Sequence, residues 1–243
     1  MGKPTVVLLH GVGLDHTIWE PVAALLTDRF SVRTPDLPGH GARPPAVDGV
    51  SLADLAREIA EEIPPGAHVV GFSLGALIAQ HLAVHHREHI ATLTSVSSVC
   101  RRTEQERQAV LARLARAESD FPASVESSID RWFTGTDIAA EWVSRTRKIL
   151  LANNVRSFLN CYRVFATGDA EIGPHLESIT VPALAVTGAD DPGSTPEMTN
   201  RLAAALPGCR AVVIPATRHM LPLERPRELA EGITTFIGEA TYA

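Results

Sequence analysis

A chain of 243 residues, 45% of them hydrophobic and 21% charged, suits one globular domain with a sizeable core and room for an inserted subdomain. Its formal charge of -6 argues against a general nucleic-acid binder, and no apolar run approaches the ~18 residues that a membrane-crossing helix needs. The three cysteines (Cys100, Cys161, Cys209) are odd in number and widely spaced, and no basic, apolar and small-residue leader is read at the start; reduced thiols and a cytoplasmic location are expected.

Short β-rich runs alternate with helical patterns, which predicts a parallel sheet covered by helices. Val6-Val7-Leu8-Leu9 is a continuous apolar strand ended by His10-Gly11. Trp19 to Leu26 is predicted helical, with Trp19, Val22, Ala23 and Leu26 on one face, and Phe30 to Thr34 is the next strand. Ser51-x-x-Asp54 marks a capped helix start, followed by Leu52, Leu55, Ala56 and Ile59 at helical spacing. Ala67-His68-Val69-Val70 leads into Gly71-Phe72-Ser73-Leu74-Gly75, and the helix after it is apolar on nearly every side to Val84, so it is expected to be buried. Ala91 to Val96 is another strand. From Arg101 to Asp169 the pattern is helical and arginine-rich, and strands return at Val181 to Thr187 and Arg210 to Ile214 before a last helix from Pro226. We therefore expect a core of residues 1–100 and 170–243, with a helical cap of residues 101–169 inserted after the strand at 91–96, over the sheet edge where open α/β sheets bind ligands.

The pentapeptide 71–75 carries the chemistry. A serine at a sharp strand-to-helix turn is lifted out of the sheet, and the flanking glycines remove the clashes such a turn would cause. Its hydroxyl then stands at a helix N-terminus, where free N–H groups favour negative charge. A serine hydroxyl is a weak nucleophile and needs a base, itself oriented by a carboxylate. Two later strands end in suitable loops: Gly188-Ala189-Asp190-Asp191-Pro192 and Pro215-Ala216-Thr217-Arg218-His219. Either aspartate could serve. The oxyanion donors are expected to be the N–H groups of Leu74 and of Val12, the latter turned inward by His10-Gly11.

These stretches, with Asp36-Leu37-Pro38-Gly39-His40-Gly41, resemble the α/β-hydrolase superfamily over nearly the whole chain. The resemblance implies an α/β-hydrolase fold, a mostly parallel sheet of about six strands flanked by helices. In that superfamily the acid stands three residues after the strand-ending glycine, which selects Asp191 over Asp190 and gives a triad of Ser73, Asp191 and His219. The cap is most similar to the 3-oxoadipate enol-lactonase group, through Asp130-Arg131-Trp132-Phe133-Thr134 and Asn160-Cys161-Tyr162. A Ser-Ser-Val-Cys-Arg passage at 97–101 is shared with carrier-protein methyl ester esterases.

The implied activity is hydrolysis of a small carboxylic ester or (enol-)lactone through an acyl-enzyme, with no cofactor, metal, nucleic-acid or membrane partner. Rival activities are carbon–carbon bond hydrolysis or lysis, perhydrolysis, methyl ester hydrolysis on a carrier protein, and ligand binding without catalysis. Trp132 is either a pocket wall or cap packing. The cap's arginines, Arg113, Arg116 and Arg131 among them, default to solvated helix faces, but an inward one would hold a substrate carboxylate. His81, His85 and His89 stand at four-residue spacing that could serve zinc; the helix end they occupy is reason enough for histidine.

Overall fold

The computed structural model describes residues 2–242. Its core is a six-stranded, wholly parallel sheet in the order β2-β1-β3-β4-β5-β6. The elements are β1 (Thr5–Leu9), α1 (Glu20–Leu26), β2 (Ser31–Arg33), α2 (Leu52–Ala60), β3 (Ala67–Phe72), α3 (Leu74–His85) and β4 (Ile90–Val96). Four helices follow: α4 (Glu104–Ser119), α5 (Phe121–Phe133), α6 (Ala140–Ala152) and α7 (Val155–Ile172). The chain then completes the sheet with β5 (Ala183–Gly188), α8 (Pro196–Ala205), β6 (Arg210–Ile214), α9 (Leu221–Glu224) and α10 (Pro226–Tyr242).

Strand burial follows position in the sheet. The central strands β3 and β5 are buried along their whole length, as continuous apolar runs require when helices cover both faces. The edge strands β2 and β6 are largely exposed. α2 packs on α3 and α1 on α10, so helices flank the sheet. α3 is buried from Leu74 to Ala83, matching its apolar sequence on every side. The chain leaves β1 toward β2 and returns on the other side of β1 to form β3, so the connections diverge between β1 and β3. A crevice opens at the carboxyl ends of strands at such a point, and Ser73 directly follows β3. Among the described residues, no helix is long and apolar enough to cross a membrane.

The helices between β4 and β5 are well delimited. A capping box of Thr103 and Glu106 starts α4; Asp120 caps α5 through the Ala123 amide, and Asn154 caps α7 through the Ser157 amide. The segment is moored to the core at several points. The Asn153 side-chain amide donates to the Gly13 carbonyl at 2.8 Å, and the Ser157 hydroxyl donates to the Gly39 carbonyl at 2.8 Å while accepting from the Ala46 amide at 2.8 Å. Arg145 pairs with Glu20 through its two terminal guanidinium nitrogens.

One mooring departs from the expectation of solvated arginines. Arg102 is buried, with its side chain 1% exposed, and pairs with Asp169, 0% exposed, at 2.6 Å. The guanidinium also donates to the Phe165 and Ala166 carbonyls, and the Arg102 amide donates to the second Asp169 oxygen at 2.7 Å. These bonds tie the end of α7 back to the point where the chain leaves the sheet. Removing one partner of such a pair leaves an uncompensated buried charge, so Asp169→Ala is expected to cost about 3–5 kcal/mol of unfolding free energy. Urea denaturation measures this, and a loss below about 1 kcal/mol would show that the pair anchors nothing.

Candidate active site

β3 ends in a turn whose geometry only these residues permit. Ser73 has φ 54° and ψ -111°, a strained conformation for a residue with a side chain. A Cβ at Gly71 would lie 2.2 Å from the Gly75 carbonyl oxygen, and one at Gly75 would lie 2.4 Å from the Leu9 carbonyl oxygen. The Gly75 amide donates to the His10 carbonyl at 3.1 Å and the Ser73 amide to that of Val96 at 3.0 Å, so β1, β3 and β4 all hold the turn. The Ser73 hydroxyl does not cap α3, which leaves both the oxygen and the Leu74 amide, the first of the helix, available.

A second close approach joins the loops after β5 and β6. A Cβ at Gly188 would lie 2.1 Å from the Thr217 carbonyl oxygen. The Asp190 amide donates to that same oxygen at 2.9 Å. Asp191 and His219 meet as a result: the buried imidazole's Nδ1 lies 2.7 Å from Asp191 Oδ2. The other carboxylate oxygen accepts from the Gly193 and Ser194 amides, each at 2.9 Å, so Asp191 cannot rotate away. Asp190 is exposed. The ring of His219 has two aromatic neighbours. Phe72 lies 5.0 Å away between centroids, and Trp132 stacks at 5.6 Å with a 26° interplanar angle. Ser73 and His219 line the same cavity. Among the described residues, the Ser73 hydroxyl makes no hydrogen bond to the imidazole, a contact that often tightens only in the substrate complex.

The loop after β1 is shaped by histidine. His10 is fully buried; its Nδ1 lies 2.8 Å from the Gly11 carbonyl and its Nε2 accepts from the Leu37 amide at 2.9 Å. An acceptor at Nε2 requires the neutral ring with its proton on Nδ1. Burial, then the neighbouring His40, pushes the His10 pKa down to about 3. His40 itself is lowered to about 4 by burial. The next residue but one, Val12, lines the cavity. Among the described residues the Val12 and Leu74 amides donate to no other group.

The outer walls come from α4 to α7. Val125, Leu150, Phe158 and Phe165 give apolar surface, and Tyr162, Ser124 and Ser128 add hydroxyls. Trp132 is a wall as well as packing. Two arginines, Arg113 and Arg131, share this lining, and an adjoining outer cavity is lined by both of them together with Arg116. Arg101, Arg102, Arg145 and Arg147 each pair with a carboxylate. No ion pair to Arg113, Arg116 or Arg131 occurs among the described residues. Arg131 donates only to the Ser127 carbonyl and the Ser128 hydroxyl, at 3.4 and 3.1 Å. Burial, then Arg113, disfavours its charged form.

The sequence reading missed Phe158, Tyr162 and Phe165 as wall residues, although their spacing of four and three along α7 marks one helix face. The histidine spacing also resolves differently in space. α3 stops at His85, so His89 leaves the helix and its Nδ1 bonds to the Ile63 carbonyl at 2.8 Å, while His175 comes within 6.0 Å of the His85 ring. Among the described residues, no three His, Cys, Asp or Glu converge to hold a metal ion.

A family model described as the alpha/beta hydrolase family matches residues 6–232. The chain belongs to this family. It is 30% identical over 240 residues to an (E)-2-((N-methylformamido)methylene)succinate hydrolase from Acinetobacter baylyi, covering 97% of this chain and 90% of that one. It is 27% identical to a pimeloyl-[acyl-carrier protein] methyl ester esterase from Vibrio vulnificus, over 97% of this chain and 95% of the relative. Among solved structures, the enol-lactonase from Burkholderia xenovorans superposes with a TM-score of 0.85 at 22% identity, covering 98% and 92% of the two chains. At that identity the likeness is one of fold.

The buried neutral histidines predict how stability responds to acid. His10, His40 and His81, the last lowered to about 4 by burial and His85, all titrate below the 6.5 of an unfolded chain. The unfolded state therefore takes up protons first as pH falls. Their contribution is fully present above pH 6.5 and is lost progressively toward pH 4 and then 3. Thermal melts followed by circular dichroism should give a Tm that falls steadily from pH 7 to pH 4; a Tm that holds or rises over that range contradicts the assignment of neutral rings.

Proposed function

We propose that this protein is a serine hydrolase of a small carboxylic ester or lactone that carries a free carboxylate. The observation that carries the reading is the fixed Asp191–His219 pair, its carboxylate satisfied on both oxygens and its imidazole in one cavity with the strained Ser73. The imidazole Nε2 takes the Ser73 proton as Oγ attacks the carbonyl carbon. Asp191 keeps Nδ1 protonated and stabilises the imidazolium that forms. The Val12 and Leu74 amides receive the oxyanion, assisted by the positive end of α3. Breakdown expels the alcohol or enol, protonated by His219. Water, deprotonated by the same ring, then attacks the acyl-enzyme and releases Ser73.

The carboxylate follows from Arg113 and Arg131. Two cations that form no ion pair among the described residues face an otherwise largely apolar cavity, and Arg131 is held there against its own desolvation. An anionic group removes that cost and suits the guanidinium's paired donors. The succinate derivative in the name of the Acinetobacter relative fits the same chemistry. Hydrolysis of acyl esters distinguishes this reading from carbon–carbon cleavage, in which activated esters would be poor substrates.

Two variants test the proposal. Ser73→Ala should abolish p-nitrophenyl ester turnover and fluorophosphonate labelling while leaving the melting curve in place; retained turnover would end the serine mechanism. Arg131→Met should raise KM for a carboxylate-bearing ester by about tenfold or more, the scale of one charge-assisted hydrogen bond, with a much smaller effect on a neutral ester. Equal effects on both esters would remove the anion assignment.

A further inference from the structure

The turn that ends α5 has a side chain on the substrate cavity and another on the histidine, and its backbone is held by a third group. Arg131 lines the cavity, and Trp132 lays its indole against the His219 ring. The guanidinium of Arg131 also sits over that indole, 5.7 Å from its centroid. The last carbonyls of a helix lack intrahelical donors. Here the oxygens of Arg131 and Thr134 accept from the guanidinium of Arg218, at 3.2 and 2.7 Å. A cation at this end of α5 also complements the helix dipole.

Arg218 is the covalent neighbour of His219, and its own position is fixed. Its amide donates to the Glu224 carboxylate at 2.8 Å. The residue before it, Thr217, is held through its carbonyl by the Asp190 amide at 2.9 Å. The carbonyl of Ala216, whose φ is 47°, accepts from Arg225 at 2.9 Å. The histidine loop is thus a rigid arm, and Arg218 is the link from that arm to the helix end that carries Arg131 and Trp132.

We infer that Arg218 is a positioning residue that couples the anion-binding turn of α5 to the catalytic base, so that seating a substrate carboxylate on Arg131 also sets Trp132 against His219. This rests on the carboxylate-ester reading above. It has a kinetic signature. Binding energy from the remote carboxylate appears in kcat and not in KM alone, because it is used to order the reacting groups.

The test compares mono-p-nitrophenyl adipate with p-nitrophenyl hexanoate, esters of equal length with and without the charge. Wild-type enzyme should show the higher kcat on the adipate. Arg218→Ala should shrink the adipate-to-hexanoate kcat ratio by about tenfold, the effect of misplacing a reacting group slightly. Arg218→Lys, which keeps the charge on a side chain of shorter reach, should fall between the two and serves if the alanine variant does not fold. In an Arg131→Met background, Arg218→Ala should produce no further loss of the ratio, because the two act as one unit.

Equal loss of kcat on both esters, or additive losses in the double variant, would overturn the coupling and leave Arg218 as mere support for the loop. The underlying reading fails separately and visibly. Wild-type enzyme that hydrolyses neither ester, or that does so without Ser73, refutes the hydrolase, and a wild type with no preference for the adipate refutes the carboxylate.

Discussion

Backbone meeting backbone, with no side chain between, is the constraint on which the site depends. Gly75 brings the start of α3 against the carbonyls that end β1, and Gly188 brings the end of β5 against the carbonyl of Thr217. Any Cβ at these points would push apart strands whose exits supply the serine, the carboxylate, the imidazole and the amide of Val12. The parallel sheet makes the approach possible, since every strand delivers its loop to the same edge. The hydrogen bonds that follow, from Asp191 to His219 and from the Gly193 and Ser194 amides to Asp191, lock a geometry that the glycines already allow.

Above that edge the electrostatics change character. On the core side, His10 is held neutral, in a single tautomer between a carbonyl and an amide. The helical side brings two cations that form no ion pair among the described residues, Arg113 and Arg131, and places them on the same cavity. On the proposed reading, charge selection and bond-making chemistry are built on different parts of the chain. They meet where Trp132 stacks on His219 and Arg218 grips the end of α5.

Much of the core was legible in the sequence because its signals are local. Gly71 and Gly75 around Ser73, the apolar runs ending in Gly188 and Ile214, and the capped start at Ser51 each depend on residues a few positions apart. The meeting of Asp191 with His219 was legible through the order of strands and the count from Gly188. The helical segment resisted reading for the opposite reason. An amphipathic helix shows that it has an inner face but not what that face meets. Arg102 and Arg113 look alike on paper; one is sealed against Asp169 and the other stands free in the cavity. The contacts of Arg218 gave no signal, since its partners are two carbonyls more than 80 positions away, at separations of 87 and 84. The histidines at 81, 85 and 89 share a spacing but not a helix, which stops at His85.

The bond between Arg102 and Asp169 has a consequence for how such a chain can change. It draws the two roots of a long excursion to within hydrogen-bonding distance, so everything between them leaves the sheet and returns at nearly one point. A segment closed in that way can lengthen, shorten or be exchanged with little demand on the strands it joins. If that segment sets substrate preference as proposed, the preference can drift over evolutionary time, or be transplanted by grafting, while Ser73, Asp191 and His219 beneath stay in place.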